Sequence, residues 1–394
     1  MRLLFLVPSV PFPLNEGLRV INYHLLRELS RRHTISLLSL AETPQEARFA
    51  EAVRPYCEQL QVVCRPIPRS ILARCRNLLT DRDPFCVRQH HSESFRTHLS
   101  RWLQTMPFDV VHMTYTPMAQ YAADLGDLPS VLALVDCMSR LFSSNAQTAS
   151  NPLAKLYWQS QAGKMRGYEQ AALGTIRRAV VATQADKDAL PQSPGPVTVI
   201  PCGVDTDYFA PSADPDDGSS ILFRGILSFP PNVDAASYFC RAIYPLVRRA
   251  VPNARLILAG RDPAPALRRL ADATAGITLT GSLPDIRPVM ARATVHVCPV
   301  RSGSGVKLKI LEAMAMGKAI VTTSCGLSGI AAEPGRDLLV ADGPEDFAGA
   351  VVRVLREPEL RQRLGAAARM VAAREHAWHA VARRYEEVYS EACR

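Results

Sequence analysis

Val300–Thr322 reads VRSGSGVKLKILEAMAMGKAIVT, and its punctuation decides the fold. An apolar run ends at Val300, and Ser302-Gly303-Ser304-Gly305 make a small-residue turn. The helical pattern that follows places Lys307 and Lys309 in its first turn and Glu312 further along. Gly317 stops this helix, and the chain resumes as an apolar strand over Ala319–Thr323. Strand, glycine turn, helix and strand form the repeating unit of a parallel sheet. A glycine turn that opens a helix also leaves backbone N–H groups free at the positive end of the helix dipole, a generic anion site. Cations at that end and a carboxylate deeper in suit a ligand that carries phosphate on one side and hydroxyls on the other.

The same unit recurs outward in both directions. Short apolar runs alternate with helical patterns, from Leu3–Pro8, Thr34–Leu40, Gln61–Cys64, Asp109–Met113, Val131–Val135, Ala179–Ala182 and Val197–Ile200 to Ile221–Gly225, Arg255–Ala259, Ile277–Thr280, Val295–Pro299, Ala319–Thr323 and Leu338–Ala341. Runs apolar on both faces imply parallel sheets covered by helices on both sides. The expectation is an α/β protein of two doubly wound, Rossmann-like domains. Pro211–Ser219, rich in Pro, Asp, Ser and Gly, marks the boundary. The expected division is 1–200, a linker at 201–219, 220–375 and a final helix at 376–394 with apolar spacing at Val381, Tyr385, Val388 and Tyr389.

Composition narrows the function. A chain of 394 residues, 47% of them hydrophobic, suits two cores. No apolar run approaches the roughly 20 residues of a membrane-spanning helix, and the first strand is too short for a signal-peptide core. An unexported, cytoplasmic protein is expected. The ten cysteines are scattered without a C-x-x-C pair, which fits reduced thiols better than disulfides or zinc. No metal site is expected. Between Arg65 and Arg101 eight arginines face three carboxylates. This basic stretch suits an acidic substrate or a membrane surface, with Ile71, Leu72, Leu78 and Leu79 set among the arginines of Ile67–Leu79. Ordinary solvated arginines fit it equally well. Aromatic residues are not interleaved there, so nucleic acid is not an expected partner.

In the first half, Gly17 opens a helix after the first strand, where open α/β sheets bind ligands, although a turn glycine reads the same way. His112 and Tyr115 lie near the carboxyl tip of the Asp109–Met113 run and are candidates to face an acceptor. Asp136 closes the apolar Val131–Val135 run, where a carboxylate must find a partner or meet solvent. It can serve as an acid or base, or bind substrate hydroxyls, or cap the helix near Ser139. No G-x-G-x-x-G follows the first strand, Gly317-Lys318 is not a P-loop, and no G-x-S-x-G elbow occurs.

VIPCGVDTDYFA at Val199–Ala210 resembles the "IPNGVD..YF" linker, and LEAMAMGKAIVT at Leu311–Thr322 resembles the "LEAMA.G.PVV" motif, of the retaining glycosyltransferases of family 4. The resemblance covers essentially the whole chain. Phe229-Pro230-Pro231-Asn232-Val233-Asp234-Ala235 and Gly303–Lys309 look like a sub-branch found in exopolysaccharide gene clusters. The resemblance implies a GT-B fold, with two Rossmann-like domains facing a cleft and a last helix crossing back to the N-terminal domain. It implies transfer of a hexose or related sugar from a UDP- or GDP-linked donor to a lipid-linked polysaccharide precursor. It implies no metal or other cofactor, and work at the inner face of the membrane.

The family motif has two glutamates with seven residues between them. The second matches Glu312, which the resemblance assigns to the donor ribose, and the first falls on Ser304. The family loop that supplies an arginine and a lysine to the donor diphosphate holds Ile226 and Pro231 here. A departing diphosphate needs its charge met, so Lys307 is expected to take over, helped by Arg301, Lys309 and the Ser302–Gly305 backbone. The resemblance adds Leu283, in the base-contacting loop after the tenth strand, and Arg224, at a strand end beside Gly225, is a further donor candidate. Two rivals stand beside this reading, a nucleotide-sugar epimerase or phosphorylase on the same fold and, because of the missing glutamate and cations, a non-catalytic sugar-nucleotide-binding scaffold.

Overall fold

The computed structural model describes residues 1–66, 76–78, 80–149, 151–193, 195–303 and 305–394. The chain divides into two compact units, Met1–Pro201 with Val381–Arg394, and Cys202–Ala380.

The first unit contains β1 (Arg2–Val7), β2 (Thr34–Ala41), β3 (Gln59–Cys64), β4 (Val110–Thr114), β5 (Ser130–Val135), β6 (Arg178–Val181) and β7 (Val197–Val199). They pair in the order β3-β2-β1-β4-β5-β6-β7, parallel throughout. The second unit contains β8 (Ser220–Arg224), β9 (Arg255–Ala259), β10 (Ile277–Leu279), β11 (Val295–Cys298), β12 (Ile320–Thr322) and β13 (Leu339–Val340), in the parallel order β10-β9-β8-β11-β12-β13. Each apolar run of the sequence forms one strand. Parallel strands covered on both faces bury both sets of side chains, and Leu4, Leu6, Leu38, Val111, Met113 and Leu132 form the first core in this way.

The strand order reverses between β1 and β4 in one sheet and between β8 and β11 in the other. The carboxyl ends at such switch points are where open α/β sheets hold ligands. In the second unit those ends are Arg224 and Cys298, and the stretch Val300–Thr322 begins just after the latter.

Residues 202–219, which composition suggests are a linker, belong to the second unit. Arg369 donates to the carbonyls of Thr206, Phe209 and Ala315 at 3.1, 3.2 and 2.7 Å. The Asp217 carboxylate accepts from the backbone N–H groups of Ser219 and Ser220 at the start of β8. The turn-forming residues are thus pinned rather than loose. In the last helix, Trp378–Ala392, the side chains of Val381, Tyr385, Val388 and Tyr389 are buried, and from Val381 onward it belongs to the first unit.

Candidate functional site

The stretch Val300–Thr322 forms a loop, a helix over Leu308–Ala315 and then β12. Thr323 Oγ1 donates to the Val300 carbonyl and Thr322 Oγ1 to that of Cys298, the latter at 3.0 Å, so β12 fixes where the loop departs. Gly303 and Gly305 have φ of +120° and +68°, a region that favours glycine. Gly317, at +66°, closes the helix. Ser304 lies outside the described residues. The helix begins one residue later than the pattern implies, so Lys307 is the residue before its first turn and supplies no side-chain cap. Lys309 is the second helical residue.

One turn separates Lys309 from Glu312, which places them on the same helix face. Glu312 is ion-paired with Arg224 at the end of β8. Burial lowers Arg224 to about 10, which leaves it protonated at neutral pH. The Lys309 ammonium lies 2.6 Å from Asn232 Oδ1 and 4.8 Å from the centroid of the Phe223 ring. Burial is the main cause that lowers it to about 8, with Arg224 and Lys307 adding repulsion and Cys298 opposing. Among the described residues no carboxylate lies within ion-pair distance of Lys309.

Gly225 lets the pieces close together, since a Cβ there would sit 2.7 Å from Asn232 Nδ2 and 3.2 Å from Lys309 Nζ. Asn232 Nδ2 donates to the Ile226 carbonyl at 3.0 Å, holding the loop from β8 to the helix Pro230–Tyr238. Lys307 Nζ turns back onto the Gly305 carbonyl at 2.9 Å. The result is a cation-rich rim at a helix start, with one carboxylate engaged by arginine.

Arg301 stands apart from this arrangement. It binds Asp234 at 2.6 and 3.2 Å and lies 4.2 Å from the Tyr238 ring centroid. Its charge is met by Asp234 on the helix Pro230–Tyr238. Leu283 is half-buried in the loop after β10. Nearby, Asp285 chelates Arg287, whose guanidinium stacks 3.9 Å from the Tyr208 ring centroid. The opposite charge holds Asp285 below its ordinary range.

In the first unit, Gly17 is the exposed first residue of the helix Gly17–Leu29. Tyr115 and Val135, at the carboxyl ends of the adjacent strands β4 and β5, have φ of +82° and +69°, and the β5–β6 register shifts between Ala133 and Val135. Positive φ at a β-branched residue is costly and clusters at functional sites. Asp136 follows Val135 and, with Cys86, pushes the half-buried Tyr115 hydroxyl further up after burial has done most of the work.

His112 does not reach an acceptor. It is fully buried in mid-strand, with Nε2 2.9 Å from Thr114 Oγ1 and Nδ1 2.8 Å from the Tyr389 hydroxyl. Its ring stacks on Phe5 at 4.4 Å. Burial lowers it to about 3, which makes it a neutral, structural histidine. The second unit's buried His296 is likewise held neutral.

The sequence reading missed Asn232 and Asp234 as partners of the two cations. Their signal was an asparagine and an aspartate just inside a Pro-Pro helix start, next to a strand ending in glycine.

Comparison with known proteins places these features in a family. The model of the Glycosyltransferase Family 4 matches residues 16–208, and that of the Glycosyl transferases group 1 matches 218–357. A phosphatidyl-myo-inositol mannosyltransferase of Mycobacterium tuberculosis is 27% identical over 304 residues, 74% of this chain and 76% of that protein. The solved sucrose-phosphate synthase of Thermosynechococcus elongatus superposes with a TM-score of 0.74 at 17% identity over 99% of each chain. The Anabaena protein HepE in complex with UDP gives 0.67 at 15% identity, over 99% of this chain and 100% of that one.

Proposed function

We propose that this chain, which belongs to the family 4 glycosyltransferases and has their GT-B fold, moves a sugar from a nucleoside diphosphate donor to a lipid-linked polysaccharide precursor, with retention of configuration. The observation that carries this reading is the half-buried cation at the start of Leu308–Ala315 with no carboxylate partner among the described residues. A charge left without a counterion in a half-enclosed site is costly, and a diphosphate supplies that counterion. Glu312 would take the ribose hydroxyls on release from Arg224. The glycine turn with Lys307 would cradle the phosphates, and Leu283 would lie against the base.

HepE has been solved with UDP and with UDP-glucose, which favours a UDP-linked donor. The mannosyltransferase of M. tuberculosis acts on a phosphatidyl-inositol, as its name states, and a Klebsiella pneumoniae protein from a cps region is 27% identical over 140 residues. The first of these favours a lipid-borne acceptor. Among the described residues no helix is long and apolar enough to cross a membrane. An acceptor of this kind would be met at the inner membrane surface, with the basic stretch Arg65–Arg101 as the contact. Within it, residues 67–75 and 79 lie outside the described residues.

In the first unit, Asp136 and Tyr115 would face the acceptor hydroxyl, and Gly17 would allow close backbone approach. The donor diphosphate leaves and the acceptor oxygen takes its place on the same face of the sugar. The acceptor proton passes to the departing phosphate oxygen.

The test is a panel of UDP-, GDP- and ADP-sugars with a polyprenyl-diphosphate-linked acceptor, following nucleoside diphosphate release and the anomeric proton signal of the product. Release dependent on acceptor, with the donor's anomeric configuration kept, supports the reading. Epimerised donor without acceptor, or binding without turnover, overturns it.

A further inference from the structure

In this chain the loop between β8 and the helix Pro230–Tyr238 carries no cation, yet the first turn of that helix touches one. Asn232 is 9% exposed and uses both ends of its amide. Its nitrogen donates to the Ile226 carbonyl at 3.0 Å, which fixes the orientation of the group, and its oxygen faces the Lys309 ammonium at 2.6 Å. Phe223 lies beneath the ammonium. The lysine is therefore held from the loop side by a neutral acceptor and from below by an aromatic face, and neither neutralises it. Its other neighbours are Arg224 and Lys307, both cationic, and the Cys298 thiol. Glu312, one turn on, is engaged by Arg224.

We infer that Asn232 is a positioning residue that holds Lys309 for the donor's diphosphate, so that Lys309 rather than Lys307 is the principal cation and the start of the helix Pro230–Tyr238 orients a charge it does not itself supply. The inference rests on the nucleotide-sugar reading above. A carboxylate at position 232 would quench the charge, and an alanine would leave it undirected. Asparagine is the residue type that fixes the ammonium and keeps it available. Lys307, turned onto the Gly305 carbonyl, serves the turn.

The consequence is a pH limb. Lys309 is lowered to about 8, and an anionic ligand binds its protonated form. Affinity should be full below that value and fall as pH rises through it, until the pKa of the complex is passed.

The experiment is calorimetric titration of the full chain with UDP, GDP and ADP between pH 7 and 9.5, for the wild type and for Lys309→Arg, Asn232→Ala and Asn232→Asp, with thermal unfolding as the folding control. Lys309→Arg should keep binding and abolish the limb, since arginine stays protonated. Asn232→Ala should lose roughly ten- to hundredfold in affinity and move the limb to lower pH. Asn232→Asp should weaken binding and move the limb to higher pH. A wild-type profile in both Asn232 variants, or a limb that survives Lys309→Arg, overturns the inference and leaves the nucleotide reading standing. If the wild type binds none of the three nucleotides, both fall.

Discussion

Arg224, the last residue of β8, is ion-paired with Glu312 on the helix Leu308–Ala315. Both side chains are mostly buried, at 24% and 16% exposed. The pair joins two elements far apart in sequence and keeps the carboxylate proposed for the donor ribose in place before any ligand arrives.

Removing one partner leaves the other charge poorly solvated. Glu312→Ala should lower stability by about 2 kcal/mol and donor affinity by roughly ten- to hundredfold. Arg224→Met combined with Glu312→Ala should destabilise by less than the two single changes added together. Urea unfolding of the four proteins measures this coupling, and strict additivity would show that the pair does not interact.

Asp136 and the donor residues lie on different units of the chain, so their effects should separate. Asp136→Asn should reduce turnover by roughly tenfold or more, because the acceptor hydroxyl loses a charged hydrogen-bond partner, and leave UDP, GDP or ADP affinity within about twofold of wild type. Single-turnover kinetics beside calorimetry tests this, and parallel losses in both would remove Asp136 from the acceptor side.

Val135 has φ of +69° where the β5–β6 register shifts. Val135→Gly removes the steric cost and should raise stability by up to about 1 kcal/mol, net of glycine's entropy. If the strain holds Asp136 in place, turnover should fall as stability rises. A change in neither thermal midpoint nor turnover would show that the conformation carries no cost and no role.

His112 and His296 are both held neutral by burial, at about 3 against an ordinary 6.5. The unfolded chain takes up their protons first, so their contribution to stability is complete above pH 6.5 and is lost as pH falls from 6.5 toward 3. Each adds up to one proton to the slope of stability against pH in that window. His112→Gln should reduce the slope by about one proton while leaving the neutral-pH activity of the folded protein largely intact, because the ring reaches no substrate. Denaturant melts at pH 4.5 to 7 measure the slope.

Much of the architecture was legible because strands such as β8 and β11 are buried on both faces and end at Gly225 and Pro299, so Ile221–Gly225 and Val295–Pro299 announce them without structural help. The choice between Lys307 and Lys309 was not legible, because it turns on helix phase. The helix starts at Leu308, which sets Lys309 in line with Glu312 and leaves Lys307 outside the first turn. His112 misled for a related reason. It lies near a strand's carboxyl end in sequence, but Tyr389 from the last helix binds its ring, and no local pattern reveals a partner that distant. Arg301 was read as a site cation because Asp234 sits in another element.

The central claim is that the rim around Lys309, Arg224 and Glu312 binds a nucleoside diphosphate. Titrating the full chain at pH 7.5 with UDP, GDP and ADP in the calorimeter tests it most directly. The account predicts saturable binding of at least one of them, weakened roughly ten- to hundredfold by Glu312→Ala. No heat of binding from any of the three, or wild-type affinity in the Glu312 variant, would contradict it.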